Sequence, residues 1–127
     1  MPKLITQYRV FVGSPGGLDE ARLGSARAFL YRSLDEITGE VAQSGRLTLD
    51  QRMTIRLAST VAIHQSLSVV DTAYHAAAST VIFEENPFER RFRDIHTVSQ
   101  QLQGRQEHFE TVGQYLLGLE LDTLGWL

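Results

Sequence analysis

The chain has 127 residues, 43% of them hydrophobic and 21% charged, and a net charge of −3. That length and composition suit one globular domain. The acidic balance and the lack of any zinc-knuckle or similar motif argue against a nucleic-acid binder, and the absence of cysteine excludes disulfides, thiolate nucleophiles and iron–sulfur clusters.

The N-terminus, MPKLITQYRVFVGSPGG, has no long apolar run of the signal-peptide kind. With no cysteine, this fits a cytoplasmic protein. Residues 4–12, LITQYRVFV, are β-prone and are expected to form an extended arm, with Thr6, Tyr8, Val10 and Val12 on one side. GSPGG, residues 13–17, is a turn. It has no lysine and does not suit a phosphate loop.

A first helix is expected from an N-cap at Asp19, with Leu23, Ala26, Leu30, Leu34, Ile37 and Val41 as its core stripe and an end before Gly45. Thr48 and Gln51 have the spacing of a capping box and should open a second helix. From Met53 to Ile82 no proline or glycine interrupts it, which gives a rod of ~45 Å. Its middle is apolar nearly all round, so it should be the central helix. His64, Gln65, Asp71 and His75 break that apolar run and exclude a membrane span.

Asn86, Pro87 and Glu89 mark the start of a third helix, with Phe88, Phe92, Ile95, Val98 and Leu102 as its buried stripe. Gly104 ends or kinks it. A fourth helix presents Phe109, Val112, Leu116 and Leu119 on one face, and His108 is expected at the surface. The resulting fold class is all-α: an antiparallel, up-down bundle of about four helices. The arm and turn occupy 1–17 and the bundle 18–127.

On the central helix His64, Ser68, Asp71 and His75 recur at steps of four, three and four. They can ligate a metal, line a ligand cavity, or bond across to neighbouring helices, since buried polar groups need partners. A carboxylate-bridged metal site usually needs several glutamates and paired Glu-x-x-His motifs. The chain has no Glu-x-x-His, so no metal is expected. On the third helix Arg90, Arg93, Thr97 and Gln101 lie opposite the apolar stripe, flanked by Arg91, Asp94 and His96. Arginines there can hold a phosphate or carboxylate. Glu89–Arg93 and Arg90–Asp94 can equally pair along a solvated face. His96 is the one candidate acid or base. No serine lies in a nucleophile elbow, and there is no dinucleotide or P-loop fingerprint.

The run LGSARAFL (23–30), QR…RLA (51–58), SVVDTAY (68–74), AASTVI (77–82), NPFERRFRDIHTVSQQ (86–101) and VGQYLLGLE (112–120) resembles the C-terminal helical domain of the acyl-CoA dehydrogenase superfamily. The resemblance is to the type-2 form shared with reduced-flavin-dependent monooxygenases and spans about Leu23 to Leu121. Its most specific element is N-P-x-x-R-x-x-R-D-I-H-T at 86–97. The resemblance implies a flavin, FAD or FMN, held between this bundle and two further domains. It implies a cofactor-binding role for Ala78, Ser79, Thr80, Arg93, Asp94 and Thr97, and a substrate pocket touched by His96 and Gln101. It also implies a homo-oligomer, a dimer or tetramer, or a separate polypeptide carrying the flavin domains; the charge and the broken apolar run leave no nucleic-acid or membrane partner expected.

This chain departs from the family pattern at three places. Gln101 and Leu102 stand where the dehydrogenases carry a catalytic glutamate, Ala78-Ser79 replaces a glycine pair at the flavin turn, and the arm replaces a helix before LGSARAFL. The chain by itself is therefore expected to be inactive and to bind flavin weakly or not at all. The alternative is a non-catalytic helical module that self-associates, or a partner-binding protein, derived from that domain.

Overall fold

A computed structural model of the protein describes residues 17–77 and 87–121. The described residues form four helices: α1 (Gly17–Ser44), α2 (Leu49–Ala76), α3 (Pro87–Gln100) and α4 (Glu107–Leu116), with a single 3-10 turn at Leu102–Gly104 before α4. No strand occurs among them, so the all-α bundle expected from the sequence is the observed architecture. None of these helices is long and apolar enough to cross a membrane. The expected arm at 4–12 and the Asn86 cap lie outside the described residues.

α1 begins at Gly17, so Asp19 is within the helix and is not its N-cap. Ala26 and Ile37 are buried, and Leu23, Leu30 and Val41 are half-buried, as the stripe requires. Leu34 is 37% exposed instead. The helix ends where expected: Gly45 takes φ +70 and its N–H donates to Val41 O at 2.8 Å. Glycine adopts that left-handed conformation without a Cβ penalty.

α2 starts on the capping box read from the sequence. Gln51 N donates to Thr48 Oγ1 at 3.2 Å, and Thr48 N donates to Gln51 Oε1 at 2.8 Å. The Gln51 side-chain amide also donates to the Glu40 carboxylate, which ties the start of α2 to the end of α1. Thr48→Ala removes one half of the box and should cost about 1 kcal/mol in a urea unfolding curve. An unchanged midpoint would mean that the box contributes nothing in solution.

The described part of α2 ends at Ala76, with Ala77 as its C-cap, short of the Ile82 expected from the lack of breakers. Residues 78–82 are outside the described part. The helix is central, as expected: α1, α3, the 3-10 turn and α4 all pack on it. Met53, Ala58, Thr60, Val69, Val70 and Ala73 are its buried residues besides Gln51. Thr60 satisfies its hydroxyl by donating to Arg56 O at 2.8 Å. Residues 61–68 are only half-buried, so much of the apolar middle of α2 is incompletely covered within the described chain.

α3 is anchored at its start. Phe88 packs with Val70 and Ala73, and Tyr74, Ala77, Phe92 and Ile95 close around them. Two residues of the expected stripe are misplaced, since Val98 and Leu102 are 39% and 38% exposed while Ser99 is buried. At about 100° per residue, position 99 returns to within about 20° of Phe88, whereas 98 falls about 80° away. Ser99 is accommodated because its hydroxyl donates to His96 O at 2.8 Å. Leu102 is beyond the helix, which stops at Gln100 as Gln101 turns extended.

The 3-10 turn then brings Gly104 against the end of α3. A Cβ there would lie 2.7 Å from Val98 O and 3.2 Å from Ser99 Cα. Glycine is needed for this close approach, with no unusual φ involved.

α4 runs back along the first half of α2, with Arg56 near His108 and Asp50 near Tyr115. Its buried face is His108, Thr111 and Val112. His108, expected at the surface, is only 8% exposed, and its Nε2 donates to the Leu102 carbonyl. Conversely Leu116 and Leu119, expected inside, are 71% and 57% exposed. Leu116 lies about 80° round the helix from His108. The helix closes there in a Schellman arrangement. Gly118, at φ +69, donates to Tyr115 O at 3.0 Å, and Leu119 N donates to Gln114 O at 2.9 Å. Tyr115 O–H donates to Asp50 Oδ1 at 3.3 Å. Loss of water, and after it the Asp50 carboxylate, raises the pKa of the Tyr115 phenol.

Candidate functional site

Two of the polar residues singled out in the sequence, Asp71 and His96, meet at the seam between α2 and α3. Phe88 fixes the start of α3 on α2, and one turn later Phe92 stacks on Tyr74 with ring centroids 4.2 Å apart. One further turn on, His96 stacks on Phe92 at 4.3 Å. The three rings form a ladder that leads from the core to the surface. At its outer end His96 Nε2 donates to Asp71 Oδ1 at 2.8 Å. Both side chains remain accessible, at 41% and 39% of their surface.

Beside this ladder α3 presents its charged face. Arg93 Nε lies 2.9 Å from Glu89 Oε1, and Arg90 Nε lies 3.9 Å from Asp94 Oδ2. These are the i,i+4 pairs read from the spacing. Arg93 and Thr97 are exposed, and the Thr97 hydroxyl donates to Arg93 O at 2.9 Å. With 70% of the Arg93 side chain in water, its ion pair contributes little. Glu89→Gln is expected to move stability by no more than a few tenths of a kcal/mol in chemical denaturation. A larger loss would mean that the pair is shielded from solvent.

Gln101 is also exposed, five positions beyond His96, and its side chain makes no cap hydrogen bond. Of the expected site residues, the structure gathers His96, Arg93, Asp94 and Thr97 on the outer part of α3 and leaves Gln101 at its end. Ala78, Ser79 and Thr80 lie outside the described residues.

The stripe on α2 divides. His64 leaves the seam, and its Nε2 donates to Gly104 O at 2.8 Å with its ring 5.6 Å from Phe109. Asp71 pairs with His96. His75 is exposed, and its ring and that of Tyr74 meet edge to face. For His64 and Asp71, bonding across helices is the reading that the structure supports. No group of three or more His, Cys, Asp or Glu side chains converges among the described residues. Sequence reasoning missed the partner of His96 and the role of Tyr74. The signal available was that Asp71 and Tyr74, three apart on α2, share a helix face.

A ligand site normally encloses most of its ligand. The α3 face offers a cation, a hydroxyl and an oriented imidazole, all open on the outer side. It is suited to form one wall of such a site.

The family model for "Acyl-CoA dehydrogenase, C-terminal domain" matches residues 17–104. The chain belongs to this family. The match covers α1, α2, α3 and the 3-10 turn and stops before α4, so VGQYLLGLE in and after α4 lies outside it. Two curated relatives of this acyl-CoA dehydrogenase C-terminal domain are indole-3-acetate monooxygenases. The protein from Pseudomonas putida is 33% identical over 81 residues, which is 64% of this chain and 21% of the relative. The one from Acinetobacter baumannii is 28% identical over 81 residues, again 64% and 21%. The aligned part thus spans about a fifth of the length of these relatives.

Proposed function

We propose that this chain is the C-terminal helical part of an acyl-CoA dehydrogenase-like flavoenzyme. In this reading α3 closes one side of a flavin and substrate pocket, the bundle contributes to subunit assembly, and the chain alone does not catalyse. The observation that carries it is the pinned but open His96, with Arg93, Asp94 and Thr97 beside it, in a domain of this family. The half-covered middle of α2 and the exposed Leu116, Leu117 and Leu119 favour further polypeptide against the bundle.

Arg93 would attract a phosphate or carboxylate. When bound, the flavin would supply the redox chemistry. Ala78, Ser79 and Thr80 would line its turn, and His96 and Gln101 would face substrate. Partners are a second copy of the chain, as a dimer or tetramer, or a polypeptide carrying the flavin domains. The compartment is the cytoplasm. The exposed leucines favour, as second reading, a self-associating module without chemistry.

Two experiments test the proposal. The isolated chain should bind FAD or FMN weakly or not at all and should not oxidise acyl-CoA. A yellow protein with one flavin per chain would overturn the claim that the pocket needs more polypeptide. In a chimera, residues 17–104 replace the matching region of the Pseudomonas putida relative. Retained oxidation of indole-3-acetate supports the proposal, and Arg93→Ala should weaken it while Arg46→Ala should not. A folded chimera without activity, together with a self-associated isolated chain, would favour the second reading.

A further inference from the structure

Asp71 and His96 come from different helices and lie 25 positions apart in sequence, yet they meet at 2.8 Å. A carboxylate only accepts, so Nε2 carries the ring hydrogen. In the neutral ring Nδ1 is then an acceptor. The two nitrogens lie on opposite edges of the imidazole, so the Nδ1 lone pair is directed away from Asp71. Among the described residues nothing donates to it. The face of the ring is held as well, by Phe92 and through it Tyr74. The imidazole is therefore fixed at one edge and one face while 41% of the side chain stays open. A polar contact this exposed adds little to stability. Holding the fold together is thus a weak reason for the arrangement.

We propose that Asp71 is a positioning residue. It holds His96 in the Nε2–H form, so that Nδ1 is presented as a fixed acceptor for an N–H or O–H group of a ligand. The ligand part of this statement rests on the pocket reading above; the fixed tautomer does not. Asp71 acts on the ring and has no need to touch the ligand. The aromatic ladder keeps the ring from turning about its side-chain bonds.

Long-range proton–nitrogen NMR correlations on the labelled chain, taken where its histidines are neutral, provide the test. His75, on the same helix and without a hydrogen-bonding partner among the described residues, is the internal reference. His96 should show the Nε2–H form alone, whereas His75 should show a mixture of both tautomers. Asp71→Leu should give His96 the mixture seen at His75. Asp71→Glu, whose carboxylate can only accept, should keep the single form. A purely structural role would lower stability in both variants without separating them by tautomer.

An Nδ1–H form of His96 in the wild type, or a mixture like that of His75, overturns the proposal, and so does an unchanged His96 in Asp71→Leu. If Asp71→Leu does not fold, the wild-type and Asp71→Glu spectra decide by the same criterion. In the active chimera, Asp71→Leu should lower kcat roughly tenfold or more, the loss of about one well-aligned hydrogen bond, and Asp71→Glu should recover much of it. A chimera inactive throughout would count against the pocket reading while the ring spectra still decide the tautomer. Equal activity in all three forms would overturn the ligand-facing role.

Discussion

Phe88→Ala should destabilise the protein by about 3–5 kcal/mol, in line with truncation of a buried aromatic. Phe88 is 8% exposed and packs against Val70 and Ala73, which are themselves 7% and 1% exposed. It occupies the second position of a 14-residue helix whose charged face contributes little to binding it down. A domain of this size typically has ~5–15 kcal/mol in total. The loss would therefore consume a large share of the stability and release α3 from α2. The consequence reaches the candidate site, because Phe92 and His96 follow Phe88 on the same helix and their contacts with Tyr74 and Asp71 depend on its position. Urea unfolding followed by circular dichroism measures the change. Phe88→Leu, which keeps most of the volume, should cost about 1 kcal/mol and serves if the alanine variant is unfolded. A loss below about 1 kcal/mol for Phe88→Ala, smaller than the range for buried aromatics, would show that α3 is not seated on this cluster.

Gly104→Val has the second largest expected effect, and its origin is different. The new Cβ would meet the backbone of Val98 and Ser99, with Val98 O at 2.7 Å. No side-chain rotation relieves a clash with backbone, so the 3-10 turn must move. Overpacking of this kind costs about 1–3 kcal/mol. The same movement pulls Gly104 O away from His64 Nε2, now at 2.8 Å, which adds about 0.5–1.5 kcal/mol. The sum is about 1.5–4.5 kcal/mol of lost stability, and the seam between α2 and the 3-10 turn opens at the same point. Gly113 gives the opposite sign. It lies inside α4, and a methyl group added there would meet nothing within 4 Å, so Gly113→Ala should stabilise by up to about 1 kcal/mol. Thermal unfolding of the two variants side by side checks both. Equal midpoints for wild type and Gly104→Val would mean that the turn is not packed on α3 as described.

The local signals of the sequence translated directly into structure. The Thr48–Gln51 box, the Gly45 stop and Pro87 at the head of α3 all act through atoms within four residues of one another, so every interacting group sits in one short stretch of chain. The same holds for the Glu89–Arg93 and Arg90–Asp94 pairs. The ordered run of motifs ending in NPFERRFRDIHT was enough to indicate the family, which the match over residues 17–104 shows.

The tertiary structure decided which face of each short helix turned inward. Val98 and Ser99 lie about 100° apart around α3, so the setting of the helix about its axis decides which is inside, and apolarity alone pointed to Val98. His108 is inside because the face of α4 that meets α2 carries Arg56 opposite it and the Leu102 carbonyl nearby, and neither is visible from α4 itself. Asp71 and His96 are 25 residues apart, and Gly104 presses on a backbone that the chain leaves and then rejoins. Sequence by itself determined the helices, the ends marked by Gly45 and by the Thr48–Gln51 box, and their kinship, because caps, breakers and helical period are short-range. Which polar groups became partners was decided only by packing, because the rotation of each helix about its axis is set by the surfaces of its neighbours and not by its own period.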